Sequence, residues 1–172
     1  DPHAWQSLSN AVIYVDNIAA ALSKADPSNA GDYFRNRAAY VEKIKALDTE
    51  IRSLVAGLPK DRRTVVTSHD AFQYFEKRFG LMSPAVLTLN PEMAPSAKVV
   101  REIRGYLRSS DTRCVFREPQ FSTAILSSLT EGLSVTVAEL DPLGDNTAMD
   151  VDYYPQIILG MAQSLESCFS QS

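Results

Sequence analysis

The chain has 172 residues, 45% of them hydrophobic and 22% charged, which suits one domain, or one and a fraction, with an ordinary core. Seventeen basic residues against 21 acidic give a net charge of −4, and the longest basic cluster, Lys60-Asp-Arg62-Arg63, carries an acid within it, which argues against a nucleic-acid binder. No apolar run is long enough for a membrane-spanning helix, and seven glycines and nine prolines are too few for a collagen-like or low-complexity chain.

The chain begins Asp1-Pro2-His3, with no Met and no basic-then-apolar signal segment, and reads as a processed form or a piece of something longer. After a polar entry over residues 1–9, Val12, Val15, Ile18, Ala19 and Leu22 recur at helical spacing, with Ser9 as the expected N-cap and Pro27 as the stop. A second helix then starts, with Ser28 or Asn29 as its cap. Its stripe runs Phe34, Val41, Ile44, Leu47, Ile51, Leu54, Leu58, and no Pro or Gly intervenes between Asp32 and Ala56. A helix of that length reaches roughly 40 Å. Its narrow stripe reads as a strut or a coiled-coil-like arm.

After Pro59 short β-branched runs alternate with amphipathic helices. Thr64–Thr67 is a strand candidate, followed by a helix from about Ala71 to Phe79 that Gly80 closes. Ala85–Leu89 is a second strand, with Pro91 and Pro95 in the loop beyond it and Ser96 capping a helix to about Arg108. Thr112–Phe116 is a third strand; Ser122 caps a helix to about Glu131, ended by Gly132. Val135–Glu139 is a fourth strand, and a loop from Asp141 to Asp150 leads into a final helix from about Asp152 to Phe169.

Four strands alternating with four helices predict an α/β lobe: a four-stranded parallel sheet flanked by helices on both faces and preceded by the long helix. Ligands of such open sheets bind outside the carboxyl ends of the strands. The residues expected there are His69-Asp70, Asn90, Glu118 and Asp141, a polar rim of ligating and hydrogen-bonding groups.

The chemistry-bearing residues are few. The two histidines, His3 and His69, are 66 positions apart, so no local HExxH-type metal motif exists. An imidazole at the end of a strand suits metal ligation or acid–base work, and it equally suits a plain hydrogen-bonding role. Cys114 and Cys168 exclude CxxC redox and Cys-rich zinc motifs, and leave two readings open: two buried thiols, or one long-loop disulfide that would imply an oxidising compartment. No Gly-x-Ser-x-Gly elbow and no phosphate loop is present. A triad of Ser68, His69 and Asp141 is weak, because adjacent residues rarely turn their side chains toward one another. Glu118 and Asp141 could form an acid–base pair, as paired carboxylates can in any acidic domain. Met82, Met93, Phe72, Tyr74, Phe75 and Phe79 are most simply core.

Longer motifs go further. Asp-Pro-His-Ala-Trp (1–5) followed by a helix, and then Thr-Ser-His-Asp-Ala-Phe-Gln-Tyr-Phe-Glu-Lys-Arg-Phe-Gly-Leu (67–81), resemble the cluster A-I metal-binding proteins of ABC importers. Cys-Val-Phe-Arg-Glu-Pro-Gln-Phe (114–121), with Leu-Asp-Pro-Leu-Gly (140–144) and Cys168 in the last helix, narrows the resemblance to the high-affinity zinc-uptake (ZnuA) branch of Gram-negative bacteria. The resemblance covers the whole chain and implies half of a two-lobed fold: residues 1–27 as the end of a first lobe, 28–58 as the interlobe helix and 59–172 as the second lobe.

It further implies a periplasmic, non-enzymatic protein that binds zinc and passes it to a membrane ABC permease. His3 and His69 would be zinc ligands, and Asp141 a further ligand that water can replace. Glu118 would orient the loop from outside the coordination sphere, and Cys114 and Cys168 would be paired. His rather than Glu at position 69 favours zinc over manganese. The alternatives are a manganese- or iron-binding member of the same family and a small α/β hydrolase using His69. An isolated long helix would expose its apolar stripe, so self-association is a further expectation.

Overall fold

A computed structural model describes residues 1–58, 63–89, 93–120 and 123–171. The expected Ser122 cap and the rim residue Asn90 lie outside the described residues. The entry segment is more structured than its polarity suggests. Ala4–Gln6 form a single 3-10 turn, and Gln6 and Leu8 are buried. Helix α1 spans Leu8–Ala25. Its cap is Ser7, not Ser9: Ser7 is extended and its side chain accepts from the Asn10 amide, so the buried Leu8 becomes the first helical residue. Asp26 ends α1, and Pro27–Asn29 form a 3-10 turn into α2, Ala30–Ala56. Asn29 stands at the N-cap position but makes no cap bond, because its amide donates to Asp26 instead.

Helix α2 is not a free arm. Ile44, Leu47, Ile51 and Val55 share one core with Leu8, Phe75 and Leu165. Phe34 departs from the expected stripe and is 55% exposed, since burial on α2 begins only at Val41. Upstream of that point the helix lies against α1, tied by Arg37 to Asp16 at 2.7 Å. The outer side of α1, with Ile13, Ile18 and Leu22, is exposed as well.

The lobe then runs β1 (Thr64–His69), α3 (Gln73–Phe79), β2 (Met82–Thr88), α4 (Ala97–Ser109), β3 (Cys114–Arg117), α5 (Thr123–Thr130), β4 (Thr136–Glu139) and α6 (Tyr153–Ser170). The strands form one wholly parallel sheet in the order β2-β1-β3-β4. Alternate residues supply its two faces. Val65, Cys114 and Phe116 join the core beneath α2, α3 and α6; Val66 and Val115 join a second core with Ile103, Leu107, Leu126 and Leu129 of α4 and α5. The expected helix caps at Ser96 and Gly80 are present. Phe72, Phe75 and Phe79 are core as expected, whereas Met82 and Met93 are 62% and 65% exposed, Met82 because it opens the edge strand β2 and Met93 because it lies in the loop before α4.

Cys114 and Cys168 are disulfide-bonded, with their Cα atoms 6.1 Å apart, and both are fully buried. Of the two sequence readings, the crosslink stands: it ties the sheet to the last helix.

Candidate metal centre

Strand order fixes where a ligand site can form. The chain leaves β1 toward β2 on one side and later enters β3 on the other, so the connections diverge at the carboxyl ends of β1 and β3. His69 is the last residue of β1, inside the strand rather than just past it, and Glu118 follows β3. The two meet, with Glu118 Oε1 3.5 Å from His69 Nδ1. Ser68 Oγ donates to the same carboxylate oxygen at 3.2 Å. A triad of Ser68, His69 and Asp141 is therefore not what the fold builds: the serine hydroxyl is engaged by Glu118.

His3 reaches the same place from the amino-terminal segment. Its imidazole lies edge-on to that of His69, with ring centroids 5.2 Å apart, and beside Trp5 at the same separation. Asp1 takes two bonds from His3, from the backbone amide at 2.7 Å and at ring Nδ1 at 2.8 Å. The segment itself is anchored by the Tyr154 hydroxyl of α6, which donates to the Trp5 carbonyl at 2.7 Å, and by the Asn10 amide on the Ala4 carbonyl. Nothing in the sequence pointed to Tyr154; Asp1, in the quoted Asp-Pro-His motif, could have been found there.

The electrostatics suit ligation. Burial lowers the pKa of both imidazoles; at His3 the neighbouring His69 adds to the effect, while Glu118 and Asp70 oppose it. Both rings are thus held in the neutral form, whose nitrogens bind metals. Burial pushes the Glu118 carboxyl up to about 7, against the Ser68 hydrogen bond and the attraction of His3, and the nearby Asp141 charge raises it further.

Asp141 lies on the same rim but is turned to its own loop. Its Oδ1 accepts from the backbone amides of Leu143 and Gly144, and Gln120 approaches at 3.5 Å. Among the described residues no three His, Cys, Asp or Glu side chains come together as a metal-binding group. His3 and His69 are brought together; Asp141 is not brought into a common cluster with them.

The family description "Zinc-uptake complex component A periplasmic" (ZnuA) matches residues 1–168. The chain belongs to this family. A ZnuA relative, the high-affinity zinc uptake system protein of Brucella suis biovar 1, is 36% identical over 171 residues, covering 99% of this chain and 51% of that protein. The iron-binding protein YfeA of Yersinia pestis is 40% identical over 122 residues, 71% of this chain and 39% of its own length. A crystal structure of ZnuA matches with a TM-score of 0.85 at 24% identity, over 98% of this chain and 60% of that one, which bears on the fold. The chain thus spans about half the length of the ZnuA relatives it matches.

Proposed function

We propose that this chain forms part of a periplasmic zinc-binding protein that captures the ion as cargo and hands it to a membrane ABC permease, carrying out no reaction on it. The observation that carries the reading is the convergence of two neutral imidazoles, from residues 66 positions apart, at the divergence point of a parallel sheet. Membership of the ZnuA family and the zinc-uptake relatives support it. His3 would bind through Nε2, since Asp1 lies on its Nδ1, and His69 would be the second ligand. Asp141 or water would supply further oxygen donors. Glu118, against the ring of His69, would orient that ring from outside the coordination sphere.

In this reading residues 1–27 belong with a first lobe, 28–58 link the lobes and 59–172 form the second. The exposed apolar side of α1 would be covered in the longer protein and would promote self-association of this chain alone. Nitrogen-rich ligation favours zinc over manganese. The iron-binding relative makes iron the second reading, and metal analysis of protein purified without chelator separates the two.

The test is a zinc competition titration against a chromophoric chelator, with His69→Ala beside the parent chain. Weak binding that disappears in the variant is expected. Equal binding by both proteins would remove His69 as a ligand and with it this proposal.

A further inference from the structure

The opposite edge of the sheet carries a different feature. Arg63 precedes β1 and Gly80 precedes β2, so both lie at the amino ends of the strands, away from the imidazoles. An open-sided cavity of about 470 Å³ sits there, walled by Arg52, Arg63, Lys77 and Arg78 and floored by Val55 and Phe79. We propose that this cavity binds a phosphoryl oxyanion, either free or carried on a lipid headgroup.

The charge balance supports an anion. Asp48 is held by two of the four cations: Arg78 Nε and Nη2 reach it at 2.9 and 2.7 Å, and Arg52 Nε at 2.9 Å. The carboxyl ends of α2 and α3 also meet here and explain part of the basic character, each contributing about half a negative charge. Arg63 Nη2 donates to the carbonyls of Val55 and Leu58 and caps α2 in this way. Four cations against one carboxylate and two helix ends leave a surplus of about two positive charges, which suits a phosphate dianion.

Capping does not use all the donors. Arg63 Nε is buried with no hydrogen-bond partner, and Lys77 has no carboxylate partner among the described residues. Arg63 Nη1 lies 3.8 Å from where a side chain on Gly80 would begin, and Gly80, at φ +70°, leaves that side of the guanidinium open. Planar guanidinium forks with a mobile ammonium are the donor set that oxyanions with several oxygens require.

The experiment titrates the metal-free chain with inorganic phosphate by calorimetry at constant ionic strength. In parallel, it measures co-sedimentation with phosphatidylglycerol and phosphatidylcholine vesicles. Saturable phosphate binding assigns a free anion; binding only to phosphatidylglycerol vesicles assigns a headgroup. In either case Lys77→Glu, a solvent-exposed change, should weaken binding about tenfold or more, and Arg63→Gln should do the same if its circular dichroism spectrum matches the parent. No binding beyond a chloride control in either arm, or binding that Lys77→Glu leaves unchanged, would overturn the proposal.

Discussion

Glu118 shows how much a single side chain contributes to the candidate centre. It is buried, accepts from Ser68 and stands against the ring of His69. A carboxylate in that position sets ring orientation, and losing such a partner typically costs about 10–100-fold in metal affinity. Glu118→Ala should therefore weaken zinc binding by that order while leaving the fold intact, as a chelator competition assay would read; an unchanged affinity would reduce Glu118 to packing. His69 was legible because an imidazole at a strand end has few purely structural uses in a sequence with only two histidines. Its contact with Glu118 was not, because that depends on β1 and β3 being neighbours, and chain order does not reveal sheet order.

The elements themselves were largely legible. Period-two runs and capping residues located all four strands and the helices between them, to within two or three residues. The errors share one cause: a local pattern shows which side of a helix is apolar, and not what lies against it. Phe34, Ile18 and Leu22 carry the right spacing and remain exposed. Two junctions make testable points. At the α1–α2 corner, hydrogen bonds from Ser28, Asn29 and Tyr33 hold the Asp26 carboxyl down at about 2. A carboxyl depressed in the folded state contributes stability above its unfolded value, and that stability is lost as pH falls through the folded one. Asp26→Ala should lower the melting temperature above about pH 3.8, with the difference closing as the pH approaches about 2. No dependence on pH would mean the bonds do not form in solution.

In the loop after β4, Gly144 adopts φ +75°, and an added Cβ would meet Ile157 at 2.6 Å and the Tyr153 hydroxyl at 3.0 Å. Gly144→Ala should destabilise the chain by about 1–3 kcal/mol in urea denaturation. It should also disturb Asp141, whose Oδ1 accepts from the Gly144 amide at 2.8 Å. An unchanged midpoint would show that the loop yields easily.

At the scale of the whole molecule, α1, α2 and the sheet share one core, and a disulfide fastens the last helix to the third strand. That sharing was hidden in the sequence, where a long uninterrupted helix suggested separation. What α1 and α2 leave uncovered is an apolar surface around a 350 Å³ hollow lined by Val15, Ile18, Leu22, Tyr33 and Tyr40. The proposed self-association places this surface at the contact between copies. Sedimentation velocity should show concentration-dependent dimers for this chain, and Ile18→Glu should yield monomer. A parent chain that stays monomeric would exclude it.

The tie between Tyr154 and the Trp5 carbonyl has a further consequence. One of the two imidazoles is held on a short strap ahead of Leu8, outside every regular helix and strand apart from a single 3-10 turn. A protease that trims that strap would take away half of the zinc ligation and leave the lobe, its crosslink and both cores standing. Capture of the metal could then be switched off irreversibly, with no unfolding to mark the event.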